Sequence, residues 1–406
     1  MTQPETPVPA SSGSTSESSA PHEDSTPPAE VRVQLFARTD VGQVREHNED
    51  NFLVADLTRR SRGLLEANRA TVIGQQGAVF AVCDGMGGAA AGEIASQLAV
   101  DIIYERLVDG LGDRPIKRDD LARRLVRAVE SAGLRIFHEA KADRSRRGMG
   151  TTVTAAALVD EVLFFAQVGD SRGYILRGDT LVQLTRDQSL VNQLIEAGQL
   201  TEEEAETFEH NNIILQALGT SDTVQVDLTF AEVRRGDILL LCSDGLSGMV
   251  RFEEIRETLR SGMEPLDICK ALTEKANQAG GHDNITVIIV QFDGPSLKPR
   301  ETEGEPLKYR KYVLADESFE DKTAQMPTMS GGAAPSGDAN AADGAMRAAP
   351  SPSAAAAGWH EHGPYGTDQD YDRVDIPGTH VPIWMVIGIV AGVVVLLAGT
   401  AFLLLR

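Results

Sequence analysis

Two apolar runs in the sequence lead into the same pair of residues: VFAVCDG at 79–85 and ILLLCSDG at 238–245. Unbroken apolar residues over this length are typical of strands that are covered on both faces, so we expect two inner strands of a sheet. Each strand would carry one carboxylate, Asp84 or Asp244, to the rim of its sheet, and the glycine that follows lets the backbone approach a ligand closely. A single Asp-Gly pair is also typical of an ordinary turn, but two pairs after matched strands favour a shared site.

The sequence contains two other acidic clusters. Asp283 belongs to the segment GHDN at 281–284, which directly precedes the apolar run ITVIIV, and the cluster NEDN at 48–51 follows Arg45. Grouped carboxylates repel one another unless cations neutralise them, and an all-oxygen set of ligands suits hard ions such as Mg²⁺ or Mn²⁺. Zinc fits less well, because none of the eight histidines has the partner spacing of a zinc site. His47 and His282 adjoin the acidic clusters, and the sequence leaves open whether they support loops or act directly.

The central region alternates short apolar runs with longer amphipathic stretches. Four further runs have the length and composition of strands: 152–159, 162–168, 173–176 and 285–290. Glycine-containing turns separate the middle runs, which favours antiparallel neighbours. Amphipathic stretches predict helices at 92–107, 119–142, 189–197, 252–261 and 264–279. This order indicates an α+β fold with helices packed on the outer faces of sheets.

The charge balance and the cysteine count exclude several classes of protein. The chain of 406 residues has 38 Lys and Arg against 60 Asp and Glu, a formal net charge of −22. This balance repels phosphate backbones, so nonspecific binding of nucleic acid is excluded and anionic lipid surfaces are disfavoured. The three cysteines cannot all pair, and a chain of this length needs no disulfide framework, so a reducing compartment fits best.

Composition divides the chain into four parts. Residues 1–30 contain few branched aliphatic side chains and lack the features of a secretory signal, which predicts a disordered tail. Residues 31–294 are the predicted folded domain, and 295–380, rich in Gly, Ala, Pro, Asp and Glu, are a predicted disordered linker. Residues 381–406 carry no charge before the final arginine. They predict a transmembrane helix rather than a buried core helix, because 23 residues span roughly 34 Å as a helix.

The acidic and glycine motifs together resemble those of the bacterial protein phosphatase 2C family, which are metal-dependent serine/threonine phosphatases. They follow the order and spacing of that family over about residues 33–292. The residues that carry the resemblance are Arg45, Asn48, Glu49, Asp50, Asp84 to Gly88, Gly150 to Thr152, Gly169 to Arg172, Ser243 to Gly245 and His282 to Asn284. The resemblance implies a four-layer α/β/β/α sandwich of two antiparallel sheets flanked by helices.

The resemblance also implies two Mn²⁺ or Mg²⁺ ions that are bridged by Asp84. The carbonyl of Gly85 would bind one of them, and Asp244 and Asp283 would complete the shell of one ion. Two such ions lower the pKa of a bridging water and stabilise charge on the attacking and leaving oxygens, so no protein nucleophile is required.

The remaining matched positions are assigned in the same way. Glu49 and Asp50 would serve the second ion, directly or through bound waters, and Asp170 resembles the ligand of a third, weaker ion found in some members. Arg45 matches the arginine that holds the substrate phosphate, a role suited to its planar fork of donors. Arg45, Asp84 and Asp244 are therefore expected to carry catalysis.

Three positions depart from the family pattern. Met86 stands where eukaryotic relatives carry a histidine proposed as the leaving-group acid, and Ala89 and Gln188 stand where bacterial members often carry histidine. The identity of the general acid therefore stays open, and a metal-bound water could serve as this acid. The stretch 187–219 resembles the mobile flap beside the active site; its glutamates could favour basic phosphopeptides or form the solvated start of a helix.

We therefore expect metal-dependent hydrolysis of phosphoserine and phosphothreonine in proteins, opposing a partner serine/threonine kinase. The alternative is a catalytically silent relative that binds phosphoproteins, but every matched acidic position is intact. Thr323 and Thr328 of the linker could accept phosphate from such a kinase. The missing secretory signal, the free thiols and the intracellular class of substrate predict a single C-terminal span in the cell inner membrane, with the catalytic domain in the cytoplasm.

Overall fold

The computed structural model describes residues 30–63, 70–87, 91–205, 208, 210, 212–300 and 306–314. The predicted transmembrane helix, most of the predicted linker and nearly all of the N-terminal tail lie outside these residues. Among the helices that the structure describes, none combines the length and the apolar character needed to cross a membrane.

Two six-stranded antiparallel sheets form the centre of the described structure. The first sheet contains, in spatial order, β11 (Thr180–Gln183), β10 (Arg172–Arg177), β13 (Ile238–Cys242), β14 (Ile285–Asp293), β1 (Val31–Asp40) and β4 (Thr71–Ile73). The second contains β12 (Asp227–Glu232), β9 (Val162–Val168), β8 (Val153–Val159), β5 (Ala78–Cys83), β2 (Asn51–Asp56) and β3 (Ser61–Arg62). A small additional pair joins β6 (Gly85–Met86) to β7 (Gly150–Thr151).

The two Asp-Gly strands are inner strands, as their composition predicts. β5 lies between β8 and β2 in the second sheet, and β13 lies between β10 and β14 in the first. All six residues of β5 are buried. Alternate residues of β5 face opposite layers, because Val79 and Ala81 join the core under the helices while Phe80 and Val82 join the core between the sheets.

Seven α-helices lie within the described ranges. They are α1 (Ala91–Val108), α2 (Arg118–Ala142), α3 (Leu190–Glu196), α4 (Glu202–Ala205), α5 (Asp244–Ser247), α6 (Phe252–Arg260) and α7 (Pro265–Gln278). The predicted helices agree with α1, α2, α3, α6 and α7 to within one residue at each end.

Each of the long helices packs against a sheet through the face that carries its apolar residues. In α2, buried residues recur every three or four positions, at Leu121, Leu125, Val129, Ala132 and Ile136, which places one apolar stripe on the second sheet. On the other side, α6 and α7 bury a separate core against the outer face of the first sheet. Three apolar cores therefore separate four layers, which confirms two antiparallel sheets flanked by helices.

Residues 306–314 form an ordered segment, which we call the strap. Sequence composition assigns these residues to a disordered linker, and that assignment is wrong for this segment. The strap runs along β12, where the Tyr312 N–H donates to the Leu228 carbonyl at 2.8 Å and the Phe230 N–H donates to the Arg310 carbonyl at 3.2 Å. It therefore covers the edge of the second sheet.

Aromatic packing explains why the strap is ordered. The Tyr312 ring stands edge-on to Phe164 and to Phe230, with ring centroids 4.9 and 5.3 Å apart. The Tyr309 hydroxyl donates to Asp227 at 2.6 Å. An average over 86 residues of the predicted linker conceals these few large side chains, which supply the burial that orders the segment.

Candidate metal centre and active-site cleft

A cleft of about 490 Å³ opens where β5 and β13 end. Its walls include Arg45, Glu49, Asp84, Gly85, Asp244 and Asp283. The two sheets therefore bring together acidic residues that are up to 234 positions apart, from Glu49 to Asp283. Met86 and His47 line the same cleft, whereas His282 is an exposed residue outside its lining.

Asp84 is fixed by two threonines: Thr151 is the last residue of β7, and Thr152 directly follows it. Its backbone N–H donates to Thr152 Oγ1 at 3.1 Å, and its carbonyl accepts from the Thr151 hydroxyl and from the Thr152 N–H, both at 2.8 Å. These bonds satisfy the backbone at the end of β5 and leave the carboxyl group to face the cleft. The motif Gly150-Thr151-Thr152 thus serves to position Asp84.

Asp84 and Asp244 come within hydrogen-bonding reach of each other through their carboxyl groups. Burial, reinforced by the charges of Asp50 and Asp244, raises the pKa of Asp84 well above its usual range. Burial and Asp283 also raise the pKa of Asp244, although its contact with Asp84 works in the opposite direction. Two carboxyl groups this close require a shared proton or a cation between them.

Asp50 is buried beside these residues and is held through one oxygen. Its Oδ2 atom accepts from the Ser243 hydroxyl at 2.8 Å and from the Thr286 hydroxyl at 2.7 Å. Its Oδ1 atom is buried and makes no hydrogen bond. Burial raises the pKa of Asp50 to about 7, while the two hydroxyl donors lower it.

Glu49 packs closely against Gly85 and Gly92, where a larger residue would not fit. A Cβ atom on Gly85 would lie 2.4 Å from the Glu49 carbonyl and from the Gly92 carbonyl. A Cβ atom on Gly92 would lie 2.3 Å from Glu49 Oε2. Burial raises the pKa of Glu49, and the neighbouring guanidinium of Arg45 opposes that rise.

Arg45 and Asp283 form an ion pair at the mouth of the cleft. Arg45 Nη2 donates to Asp283 Oδ2 at 2.8 Å, and the side chains are 50% and 35% exposed. Burial lowers the pKa of Arg45, but Asp283 outweighs this effect and raises it. Because the guanidinium group has five donor hydrogens, the pair leaves Arg45 able to bind a further oxyanion.

Asn284 fixes the loop that carries Arg45 and Glu49. Its Oδ1 atom accepts from the Glu49 N–H at 2.8 Å, and its Nδ2 group donates to the carbonyls of Val41 and His47 at 3.0 and 2.9 Å. All three side-chain bonds join segments more than 230 positions apart in the chain. Asn284 therefore positions the loop relative to Asp283.

Asp170 lies near Asp244 and next to a network of buried polar side chains that includes Thr152, Gln167 and Ser171. Its Oδ1 atom is buried and lacks a hydrogen-bond partner. Burial, followed by the charges of Asp244 and Asp187, raises the pKa of Asp170 to about 7. Arg172 pairs with Asp187 at 2.7 Å, which places a positive charge beside this group.

Gln188 supports the turn before Asp170. Its Oε1 atom accepts from the Gly169 N–H at 3.0 Å and from Gln216 Nε2 at 2.9 Å. An amide side chain has no proton to transfer at neutral pH, so this position acts as a support and not as a general acid.

The donor set fits hard divalent cations in charge and chemistry. Asp50, Asp170 and Asp244 each present a buried oxygen without a hydrogen bond. Within the described residues, no group of three or more His, Cys, Asp and Glu side chains is arranged to hold a metal ion by itself. The carboxylates nevertheless raise one another's pKa, and Mg²⁺ and Mn²⁺ commonly keep water or backbone carbonyls among their ligands.

The cysteines play no part in this chemistry. Cys83, Cys242 and Cys269 are buried and free. Burial raises the pKa of the Cys242 and Cys269 thiols to about 12 and that of Cys83 further. All three are therefore protonated core residues at neutral pH, as predicted for Cys83 and Cys242.

The fold and this cleft together define a phosphatase of the metal-dependent class. A family model described as protein phosphatase 2C matches residues 60–279. The chain belongs to the protein phosphatase 2C family.

Bacterial phosphatases are among the relatives of this chain. The serine/threonine phosphatase stp of Listeria monocytogenes is 36% identical over 256 residues, which cover 63% of this chain and 94% of the relative. Protein phosphatase PhpP of Streptococcus pneumoniae is 39% identical over 261 residues, covering 64% of this chain and 98% of the relative.

Solved structures agree with the fold. The crystal structure of the Mycobacterium tuberculosis serine/threonine phosphatase PstP/Ppp gives a TM-score of 0.55 at 35% identity, covering 65% of this chain and all of that one. A second structure, the catalytic domain of serine threonine protein phosphatase PstP in complex with two manganese ions, gives a TM-score of 0.53 with the same identity and coverage.

Proposed function

We propose that this chain hydrolyses phosphoserine and phosphothreonine in proteins with the aid of two Mn²⁺ or Mg²⁺ ions. The observation that carries the proposal is the approach of Asp84 to Asp244 at the ends of two inner strands. Two anionic groups in a buried position require neutralisation, and divalent cations supply it. The family of the chain and the manganese in the related PstP structure support the same choice.

The acidic residues in and beside the cleft are assigned to the ions as the family resemblance implies. Asp84, the Gly85 carbonyl, Asp244 and Asp283 would hold one ion, and Asp84 would also contribute to holding the second. Glu49 and Asp50 would serve the other shell, and Asp170 would join Asp244 in binding a third ion. When bound, the ions supply an activated water and neutralise the charge that develops on phosphate oxygens.

The second function of the cleft is to bind and orient the substrate phosphate. Arg45 is half exposed at its mouth and is oriented by Asp283, so its remaining donors can hold a phosphate oxygen. Asn284 fixes the loop that carries Arg45, which limits the loss of conformational entropy on binding. Met86 lines the cleft and has no acidic proton, so it supplies no general acid.

We infer further that the enzyme acts at the cell inner membrane and opposes a serine/threonine kinase. The uncharged run at 381–405 supports a single membrane span, and the three free, buried cysteines support a catalytic domain in a reducing compartment, the cytoplasm. Protease protection of a C-terminal tag in spheroplasts, before and after permeabilisation of the inner membrane, tests this orientation. Cleavage of the tag only after permeabilisation would contradict it.

The activity is tested on the purified full-length chain. p-Nitrophenyl phosphate and a phosphothreonine peptide are each assayed with Mn²⁺, with Mg²⁺ and with chelator. We expect turnover that requires metal and that falls by at least about 10²-fold in Asp84→Asn. Turnover without metal would overturn the mechanism. Complete inactivity together with retained binding of the phosphopeptide would favour the catalytically silent alternative.

A further inference from the structure

Two short segments beside the catalytic cleft pair with each other, and we call them the flap base: residues 188–190 and 213–215. Two backbone hydrogen bonds join them, from the Leu190 N–H to the Ile213 carbonyl at 2.9 Å and from the Leu215 N–H to the Gln188 carbonyl at 2.8 Å. Ile214, in the middle of the second segment, lines the catalytic cleft. The flap base therefore sets the position of one part of the cleft wall.

The flap base is joined to the segment that leads into β12. Gln216 directly follows the flap base, and its Nε2 group donates to the Gln225 carbonyl at 2.8 Å. The Gln225 N–H donates back to Gln216 Oε1, also at 2.8 Å. Gln225 lies two residues before Asp227, the first residue of β12. The position of the flap base is thus tied to the start of this strand.

Arg186 provides a second connection between the same two regions. It lies two residues before the flap base, and its guanidinium pairs with Glu196 at the end of α3, the helix that begins at the last residue of the first segment. The guanidinium also comes within hydrogen-bonding reach of the Tyr309 hydroxyl. Tyr309 belongs to the strap, and the same hydroxyl donates to Asp227 Oδ2 at 2.6 Å. One side chain of the strap therefore contacts both connections.

The strap contacts both carboxyl oxygens of Asp227, but the two contacts differ in strength. Lys311 Nζ lies 3.4 Å from Oδ1, and the Lys311 side chain is 62% exposed, so this ion pair contributes little. The Tyr309 hydroxyl makes a short hydrogen bond to a carboxylate that is only 12% exposed. Hydrogen bonds to an ionised acceptor are roughly twice as strong as those between neutral groups. Tyr309 is therefore the main polar contact of the strap at the start of β12.

We propose that Tyr309 is a positioning residue for the wall of the catalytic cleft. Its hydroxyl holds Asp227 and Arg186, and these residues hold the flap base through Gln225 and through α3. A phosphopeptide extends beyond its phosphorylated side chain, so it contacts more of the wall near Ile214 than p-nitrophenyl phosphate does. A wall that is held in place lowers the entropic cost of binding the larger substrate. The kinetic consequence rests on the proposed function, whereas the coupling between the strap and the flap base does not.

Hydrogen exchange on the full-length chain in Mg²⁺ buffer tests the coupling at individual amides. The reporters are the N–H groups of Leu190 and Leu215. The Phe292 N–H of β14, which donates to the Asp237 carbonyl at 3.0 Å, is the internal reference for global stability. Tyr309→Phe removes the hydroxyl and keeps the ring. We expect exchange at the two reporters to accelerate about fivefold, as for the loss of one hydrogen bond, while the reference stays unchanged.

Tyr312→Phe is the matched control, because it removes the other tyrosine hydroxyl of the strap that contacts a carboxylate. That hydroxyl contacts Asp119, which belongs to α2 and not to the flap base. We expect Tyr312→Phe to leave exchange at both reporters unchanged. Unchanged reporters in Tyr309→Phe, or equal acceleration in the two variants, would overturn the proposal.

A double variant tests whether Tyr309 acts through Arg186. Substitutions that break one shared contact are not additive, whereas substitutions at independent sites are. We expect Tyr309→Phe to have little further effect on the Leu190 amide once Arg186→Gln is present. Full additivity at this amide would overturn the connection through Arg186.

Steady-state kinetics test whether the coupling reaches the substrate. We expect Tyr309→Phe to raise KM for a phosphothreonine peptide roughly threefold to tenfold and to leave kcat, and KM for p-nitrophenyl phosphate, nearly unchanged. A substitution that only destabilised the fold would lower kcat equally for both substrates. Equal changes for both substrates, or an unchanged KM for the peptide, would overturn the positioning role. Absence of turnover in the unsubstituted chain would contradict the proposed function instead, and the exchange measurements would still decide the coupling.

Discussion

Asp84 and Asp244 meet at the rim of two different sheets with their carboxyl groups within hydrogen-bonding reach. Each residue follows an inner strand that the protein core fixes on both faces. The position of these carboxyl groups is therefore set by the packing of the whole sandwich and not by a flexible loop.

The substitution Asp84→Asn tests the role of this pair. Because it removes a bridging ligand, we expect kcat/KM with Mn²⁺ to fall by about 10²-fold to 10³-fold or more. In chelated protein the same change removes one member of a repelling group, so the melting temperature is expected to stay equal or to rise. Asp109→Asn, on an exposed position, is the matched control and should change neither value. An active enzyme after Asp84→Asn would contradict the assignment.

The raised pKa values predict how the metal-free protein responds to pH. Asp50 and Asp170 have a pKa of about 7 in the folded chain, above the ordinary value of 3.8. The folded state therefore holds protons that the unfolded state has lost, and the stabilisation is lost as pH rises through about 7. We expect the melting temperature of chelated protein to fall between about pH 5 and about pH 8. Mn²⁺ should reverse the fall at the higher pH, and a chelated melting temperature independent of pH would be contrary evidence.

Much of this site can be predicted from the sequence because its main determinants are local. Unbroken apolar runs identify β5 and β13, and the acidic residue at the end of each run is visible in the same pattern. The helices are predicted because their apolar residues recur at helical spacing. β1 was not among the predicted strands, since its buried residues alternate with Arg32 and Gln34 and form no unbroken run.

The supports of the carboxylates could not be predicted, because they depend on contacts between distant segments. Ser243 and Thr286 donate to Asp50 from 193 and 236 positions away. Hydroxyl residues are common in strands, so nothing local distinguishes these two. The strap was missed for a related reason, because its aromatic residues are few and their partners lie on another part of the chain.

The hydroxyl groups around Asp50 provide a third prediction. Thr286→Val removes the 2.7 Å bond to Asp50 Oδ2 and leaves the shape of the side chain nearly unchanged. We expect the Mn²⁺ concentration needed for half activation to rise by about 10-fold to 100-fold. Thr286→Ser keeps a hydroxyl and should restore most of the affinity. Equal activation constants for the Val and Ser variants would show that the bond does not orient Asp50.

Arg45 provides a prediction that separates substrate binding from metal binding. Arg45→Lys keeps the charge but loses the fork of donors that can contact Asp283 and a phosphate oxygen together. We expect KM for a phosphothreonine peptide to rise by about tenfold, while kcat and the Mn²⁺ requirement change little. Arg45→Ala should raise KM further. A loss confined to kcat would instead place Arg45 in the chemical step.

The strap gives a final prediction, on stability, with a control one residue away. Tyr312 packs its ring against Phe164 and Phe230, whereas the neighbouring Val313 is 87% exposed. We expect Tyr312→Ala to lower the free energy of unfolding by about 2 kcal/mol, since it removes a large ring from an aromatic cluster at the edge of the second sheet. Val313→Ala should change it by less than about 0.5 kcal/mol. Denaturant unfolding of the full-length chain measures both values, and equal stability of the two variants would mean that the strap does not contribute to the core.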